Sequence, residues 1–189
     1  MTISIKELTF KLTVLLALTA ASRASEISYL DINFMRKSPS CYVFSFPKLT
    51  KTCRPNKPSQ NLKFLAFKED RSLCVCHTLD TYLEKLKPLQ SEGDTQLLLS
   101  HIKSHNPVKT YTVSRWMMEF LKASGIDTKY FSGHSTRYAS TSNAKALGIP
   151  IVEIVNRVHW SSDSMFKKRY CVEVVSDSNF QKTLFLRKL

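Results

Sequence analysis

No apolar run in this 189-residue sequence approaches the roughly 18 residues that a membrane-spanning helix needs, so nothing in it is expected to cross a bilayer. The nearest candidate is Leu12-Thr-Val-Leu-Leu-Ala-Leu-Thr-Ala20, with Lys6 and Lys11 before it and Ala-Ser-Arg-Ala24 after it. That outline is close to a secretory leader. Arg23, however, puts a charge where a cleavage site takes none, and Glu7 sits in the basic part, so the run is expected to be a helix of the fold and the protein is not expected to be secreted. Paired cysteines are missing too. Five cysteines without paired spacing make no disulfide framework, and Cys74-Val-Cys76 is too tight for a zinc knuckle and has no second pair at ligand distance. No metal site is expected, and the thiols suit a reducing compartment. Repeats and low-complexity stretches are absent. Acidic residues are scarce: 15 Asp and Glu stand against 28 Lys and Arg, a net charge of +13. An excess of that size suits a polyanionic partner, nucleic acid ahead of an anionic membrane surface, with a merely basic soluble protein as the plain alternative.

What is present suits one folded domain. Leu8, Leu12, Leu15 and Leu16, with Thr19 continuing the face, recur at a helical period and predict a helix over 5–22 that delivers Arg23 and Glu26 at its C-terminal end. Cys41-Tyr-Val-Phe-Ser-Phe46 and Asn61-Leu-Lys-Phe-Leu-Ala-Phe67 have strand composition. Between them, Pro47 to Ser59 carries Lys48, Lys51, Arg54 and Lys57. A long basic loop between strands suits a nucleic-acid groove, and equally a solvated charged loop. Helical periods return over 73–86, 112–121, 135–147 and 151–158, and Ser161-Ser-Asp-Ser164 offers N-caps for a last helix carrying Tyr170. Trp116 and Met117 read as core, and His101 and His105 as surface residues of a polar loop. The fold class is therefore mainly α with a small antiparallel β-sheet in the N-terminal third.

Chemistry gathers in the second half. His134 and Arg137, three apart on a helix, share a face and can address one small anion. Trp160 follows, and then Tyr170, directly after Lys167, Lys168 and Arg169. A phenol with an ordinary pKa of about 10 needs such cations to act as a nucleophile. Arg23 and Glu26, taken alone, are an ordinary i, i+3 ion pair.

In this order the residues resemble the catalytic domain of the tyrosine recombinases, the family of phage integrases and Cre-like enzymes. The matching elements are Arg-x-x-Glu (Arg23, Glu26), a lysine in a strand-to-strand turn, His-x-x-Arg (His134, Arg137), Trp160 where the family has histidine or tryptophan, and Tyr170. The wording Phe131-Ser-Gly-His-Ser-Thr-Arg-Tyr-Ala-Ser140 with Trp160-Ser-Ser looks most like the recombinases of eukaryotic DIRS-type retroelements, and the likeness spans roughly residues 5 to 175.

The resemblance implies an enzyme that breaks and rejoins DNA. Arg23 and Arg137 would clamp the non-bridging oxygens of a phosphodiester, because guanidinium forks match that geometry. His134 would add a hydrogen bond and help manage the proton leaving Tyr170. Trp160, with only an indole N–H, would bind a phosphate oxygen or pack the site. Tyr170 would attack phosphorus and leave a 3'-phosphotyrosyl link with a free 5'-hydroxyl, whose proton comes from Lys51, with Lys48 and Lys57 as rivals. Glu26 would orient the clamp or the surroundings of His134. Lys48, Arg54, Lys57, Lys167, Lys168 and Arg169 would contact the double-stranded DNA, on which a homotetramer assembles. Because the bond energy is kept in the tyrosyl link, no cofactor, ATP or metal ion is called for. Family enzymes carry a helical domain ahead of the catalytic one, whereas this sequence starts almost at the first catalytic helix, so a single catalytic domain over 1–189 without that N-terminal domain is expected. The competing expectation is a catalytically idle DNA-binding relic of a mobile-element recombinase. The compartment follows the partner: nuclear in a eukaryote, otherwise cytoplasmic.

Overall fold

Helix α1 (Ile5–Ala20) starts at a reciprocal cap, in which the Ser4 hydroxyl accepts the Glu7 amide and the Glu7 carboxylate accepts the Ser4 amide. The computed structural model describes residues 3–46 and 61–158. The helix stops one residue short of Ala21, which takes the left-handed conformation at φ 46° while Ser22 N donates to Ala17 O at 3.1 Å. That turn separates α1 from a short second helix, α2 (Ala24–Ser28). Arg23 is the residue just before α2, and Glu26 lies within it, so the two are not carried on the end of α1 as its period suggested.

A 3-10 turn (Ile32–Phe34) leads into strands β1 (Met35–Ser38), β2 (Cys41–Ser45) and β3 (Asn61–Leu65), an antiparallel sheet in the order β1-β2-β3. Tyr42 and Phe44 of β2 and Leu62 and Phe64 of β3 point inward, paired as Tyr42↔Phe64 and Phe44↔Leu62. Strand β1 is an addition to the two strands that composition suggested. Its Met-Arg-Lys-Ser sequence buries no residue fully, so its pairing rests on the ladder and on Lys37, whose ammonium reaches Asp80 at 2.5 Å. The Tyr42 hydroxyl meets the same carboxylate, clipping the sheet to α3 (Val75–Leu86). Burial and Asp80 push the Tyr42 phenol up to about 12.

Helix α1 packs against α3, β3, α4 (Thr110–Ala123) and α5 (Ser135–Ala146). Leu8, Leu12 and Leu16 meet Leu79, Tyr82 and Leu86 of α3, and Val113, Trp116 and Met117 of α4, in one core with the inner face of the sheet. Leu15 is only partly buried and Thr19 is exposed; the buried face instead includes Thr9, Thr13 and Ala17. The Thr9 and Thr13 hydroxyls are satisfied within the helix, on Ile5 O and Thr9 O. Gly125 at φ 78° follows the end of α4 and Gly148 at φ 87° follows α5, where a left-handed residue closes a helix. A smaller cluster of Ala21, Ile154, Val155 and Val158 seats α6 (Ile151–Arg157) against the end of α1. His101 departs from the expected surface position. It is half-buried between the rings of Phe10 and Trp116, at 5.6 and 5.5 Å between centroids, because Phe10 turns toward the 101 loop.

Candidate active site

Four of the residues singled out in the sequence come together where α1, α2, α5 and α6 meet. Glu26 is the hub. One of its oxygens accepts from the Arg23 guanidinium at 2.8 Å, and the other accepts the Arg23 amide at 2.7 Å and Nη1 of Arg137 at 3.4 Å. Arg137 enters from α5, 111 positions away, and is 1% exposed. Its Nη1 also donates to Ala21 O at 2.8 Å, and its Nη2 to Val158 O at 2.7 Å. A planar guanidinium suits this task, because its donors leave the plane in fixed directions and tie three chain segments at once. The carbonyl exposed by the left-handed turn at Ala21 is thereby satisfied.

Arg23 lies nearer solvent, with its side chain 35% exposed against 9% for Glu26. Two guanidiniums on one carboxylate leave a positive excess, as an anion site requires. His134 stands at the start of α5, just ahead of Ser135, and remains accessible. Partial burial pushes its imidazole pKa below the usual value, and the charges of Arg137 and Arg23 push it further, against the pull of Glu26. Near neutral pH it is therefore an uncharged imidazole, able to accept a proton at one nitrogen and donate at the other.

Arg23 and His134 open onto a depression of about 410 Å³, whose lining includes Ser25, Thr110, Ser114, Met118 and Ser132. Thr110, Ser114 and Met118 recur every four residues along α4, on a face its apolar period left unassigned. The Ser28 and Thr110 hydroxyls, 2.9 Å apart, hold α2 against the start of α4.

This arrangement of helices around a small antiparallel sheet recurs in solved structures. The XerH site-specific recombinase bound to difH substrate, in a pre-cleavage complex, superimposes with a TM-score of 0.64 at 11% identity, over 88% of this chain and 44% of that one. XerA recombinase gives 0.63 at 16%, over 100% and 63%. The fold is that of a tyrosine recombinase catalytic domain. Lambda integrase, crystallised as a dimer on a core site, shares this recombinase fold with a TM-score of 0.58 at 18% identity, over 89% and 53% of the two chains. At these identities the likeness is one of fold. This chain spans 44% to 63% of the length of these three. No family model matches the sequence, and no curated protein matches it.

Lys48, Lys51, Arg54, Lys57, Trp160, Lys167, Lys168, Arg169 and Tyr170 lie outside the described residues. Ser45 of β2 pairs with Asn61 of β3, so the two strands meet where the described residues on either side of 47–60 leave off. Sequence reasoning missed the partners of Arg137 on Ala21 and Val158, because backbone carbonyls carry no residue signature. Among the described residues no group of three or more His, Cys, Asp or Glu is placed to hold a metal ion.

Proposed function

We propose that this chain is the catalytic domain of a tyrosine recombinase that breaks and rejoins double-stranded DNA through a 3'-phosphotyrosyl intermediate. The observation that carries the proposal is the Arg23–Glu26–Arg137 cluster beside His134, inside a fold shared with DNA-bound recombinases. Arg23 and Arg137 are assigned to the charge that builds on the scissile phosphate. Tyr170 attacks phosphorus as its proton passes toward His134, the P–O5' bond breaks, and Lys51 protonates the leaving 5'-oxygen. Trp160 donates its indole N–H to the phosphate or packs beside it. Rejoining runs the same steps backwards, with another 5'-hydroxyl as the attacking group.

Lys48, Arg54, Lys57, Lys167, Lys168 and Arg169 are assigned to the DNA backbone, four copies are assigned to one synaptic assembly, and the compartment is the nucleus where the host is a eukaryote and the cytoplasm otherwise. The affiliation with DIRS-type retroelements rests on the wording around His134 and Trp160. A second reading, a DNA-binding relic that no longer cuts, draws on Arg137. With 1% exposure and its terminal nitrogens on two backbone carbonyls, that residue also serves as a brace of the fold.

Covalent chemistry separates the two. Incubated in chelator with nicked duplexes and supercoiled plasmid, the protein is expected to form a denaturation-resistant adduct and to relax the plasmid. Tyr170→Phe should abolish both and keep DNA binding. Binding without adduct in the wild type selects the relic, and adducts that persist in Tyr170→Phe move the nucleophile elsewhere.

A further inference from the structure

The depression next to Arg23 is larger than one phosphate needs, and its chemistry changes away from the arginine. Its far wall is the face of α4 with the Thr110 and Ser114 hydroxyls and the Met118 thioether. Tyr111 precedes Met118 by seven residues, close to two full turns, so it stands on the same stripe at the outer edge, 77% exposed. The opposite wall is the segment ending at His134, where Ser132 lines the depression and the neighbouring Phe131 is 50% exposed. Two large exposed rings therefore adjoin lining residues in the chain, Tyr111 next to Thr110 and Phe131 next to Ser132. Lys109 and Lys129, both exposed, lie within two residues of these rings.

We propose that this depression receives an unstacked base of the DNA strand adjoining the cut, with Tyr111 and Phe131 as stacking platforms at its rim. The inference rests on the recombinase reading above, since Arg23 and His134 place a backbone phosphate at one end of the cavity. Exposed aromatic rings next to cations are how single-stranded nucleic acid is held, rings for base faces and cations for phosphates. The walls suit a base better than an apolar protein segment. Serine and threonine hydroxyls both donate and accept, matching the mixed edge of a nucleobase, whereas an apolar side chain would cover them without a partner. Met118 supplies a soft apolar contact for a ring face. A cavity of about 410 Å³ lies within the range of small-ligand pockets and admits one nucleoside unit. Taking a base out of the stack next to the cut also frees the backbone to present its phosphate to Arg23.

Two duplexes of one sequence test this, one fully matched and one with a short unpaired stretch carrying 2-aminopurine. The wild-type chain should bind the unpaired form about tenfold tighter and quench the probe. Tyr111→Ala with Phe131→Ala should weaken binding of the unpaired form about tenfold, bring the ratio to near one and abolish quenching. Tyr111→Phe should keep the preference. Both rings are exposed, so the double variant should melt like the wild type. Equal wild-type affinity for the two duplexes overturns the proposal, as does a preference that survives the double substitution. Salt-dependent binding of the matched duplex keeps the DNA reading standing in either case. Loss of all DNA binding by the wild type sinks that reading and this inference together.

Discussion

Removing the Glu26 carboxylate would leave two guanidiniums facing each other, one of them shut away from water. Breaking a buried pair from one side costs about 3 kcal/mol, because the remaining charge keeps its desolvation and loses its compensation. Glu26→Ala should therefore lower the unfolding free energy by that amount, read as a lower urea midpoint with the m-value unchanged, and an m-value shift would point to a larger loss of structure. Arg137→Lys should not rescue a comparable loss at its own position. An ammonium cannot span Ala21 O, Val158 O and the Glu26 carboxylate as a planar fork does. His134 reports the same charges independently. Replacing Glu26 by Gln removes an acid that holds its pKa up against Arg137 and Arg23, so the titration of His134 should move lower still in Glu26→Gln, read from its imidazole resonances. A titration moving upward would place His134 outside the field of this cluster.

At the scale of elements, the site is set by the turn between α1 and α2. A left-handed alanine costs about 1 kcal/mol against a helical one, and the Arg137 bond to its carbonyl works against that cost. Nothing in the composition of Ala20-Ala-Ser-Arg marks this stop, since neither glycine nor proline stands there, which is why the period of α1 overran it. By contrast, α4 and α5 are followed by Gly125 and Gly148, each at a positive φ that other residues avoid, which is the kind of stop a sequence can show. Strand β1 was illegible for a related reason: an exposed edge strand has no buried alternation to read. The spacing of Arg23, Glu26, His134 and Arg137 was legible as a set, while the carboxylate that joins both arginines is a property of packing and not of spacing. His101 shows the same gap, and its burial has a consequence for stability. Burial lowers the pKa of His101, with Lys6, Arg115 and His105 adding to the effect and Glu119 opposing it, and the pKa of His134 is lowered as well. Below the ordinary histidine value of about 6.5 the unfolded chain takes up protons that the folded chain resists, so stability is complete above that pH and falls as pH drops toward the folded values. The melting temperature should decline between about pH 7 and pH 5, and His101→Phe, which keeps a ring between Phe10 and Trp116, should flatten part of that decline. An unchanged slope in the variant would assign the acid sensitivity to other groups.

Across the whole molecule, a net charge of +13 is most informative when the charges are asked where they act. Each phosphate neutralised on duplex DNA contributes about 0.9 to the slope of log affinity against log salt, because a condensed counterion is released. The paired ends of β2 and β3 fix where the connection bearing Lys48, Lys51, Arg54 and Lys57 leaves and rejoins the sheet, and the sheet is held to α3 through Asp80. If those four side chains lie on the backbone, replacing all of them by alanine should take about 3 to 4 off the slope and weaken binding alike on unrelated sequences. The same number of alanines at Lys85, Lys87, Lys122 and Lys145, in or next to the last turns of α3, α4 and α5, should alter the slope far less, since a charge that touches no phosphate releases no counterion. Anisotropy titrations of a labelled duplex over a range of salt distinguish the two sets. Equal effects from both would mean that the basic charge acts as a diffuse field, and that the residues joining β2 to β3 have no privileged place on the DNA.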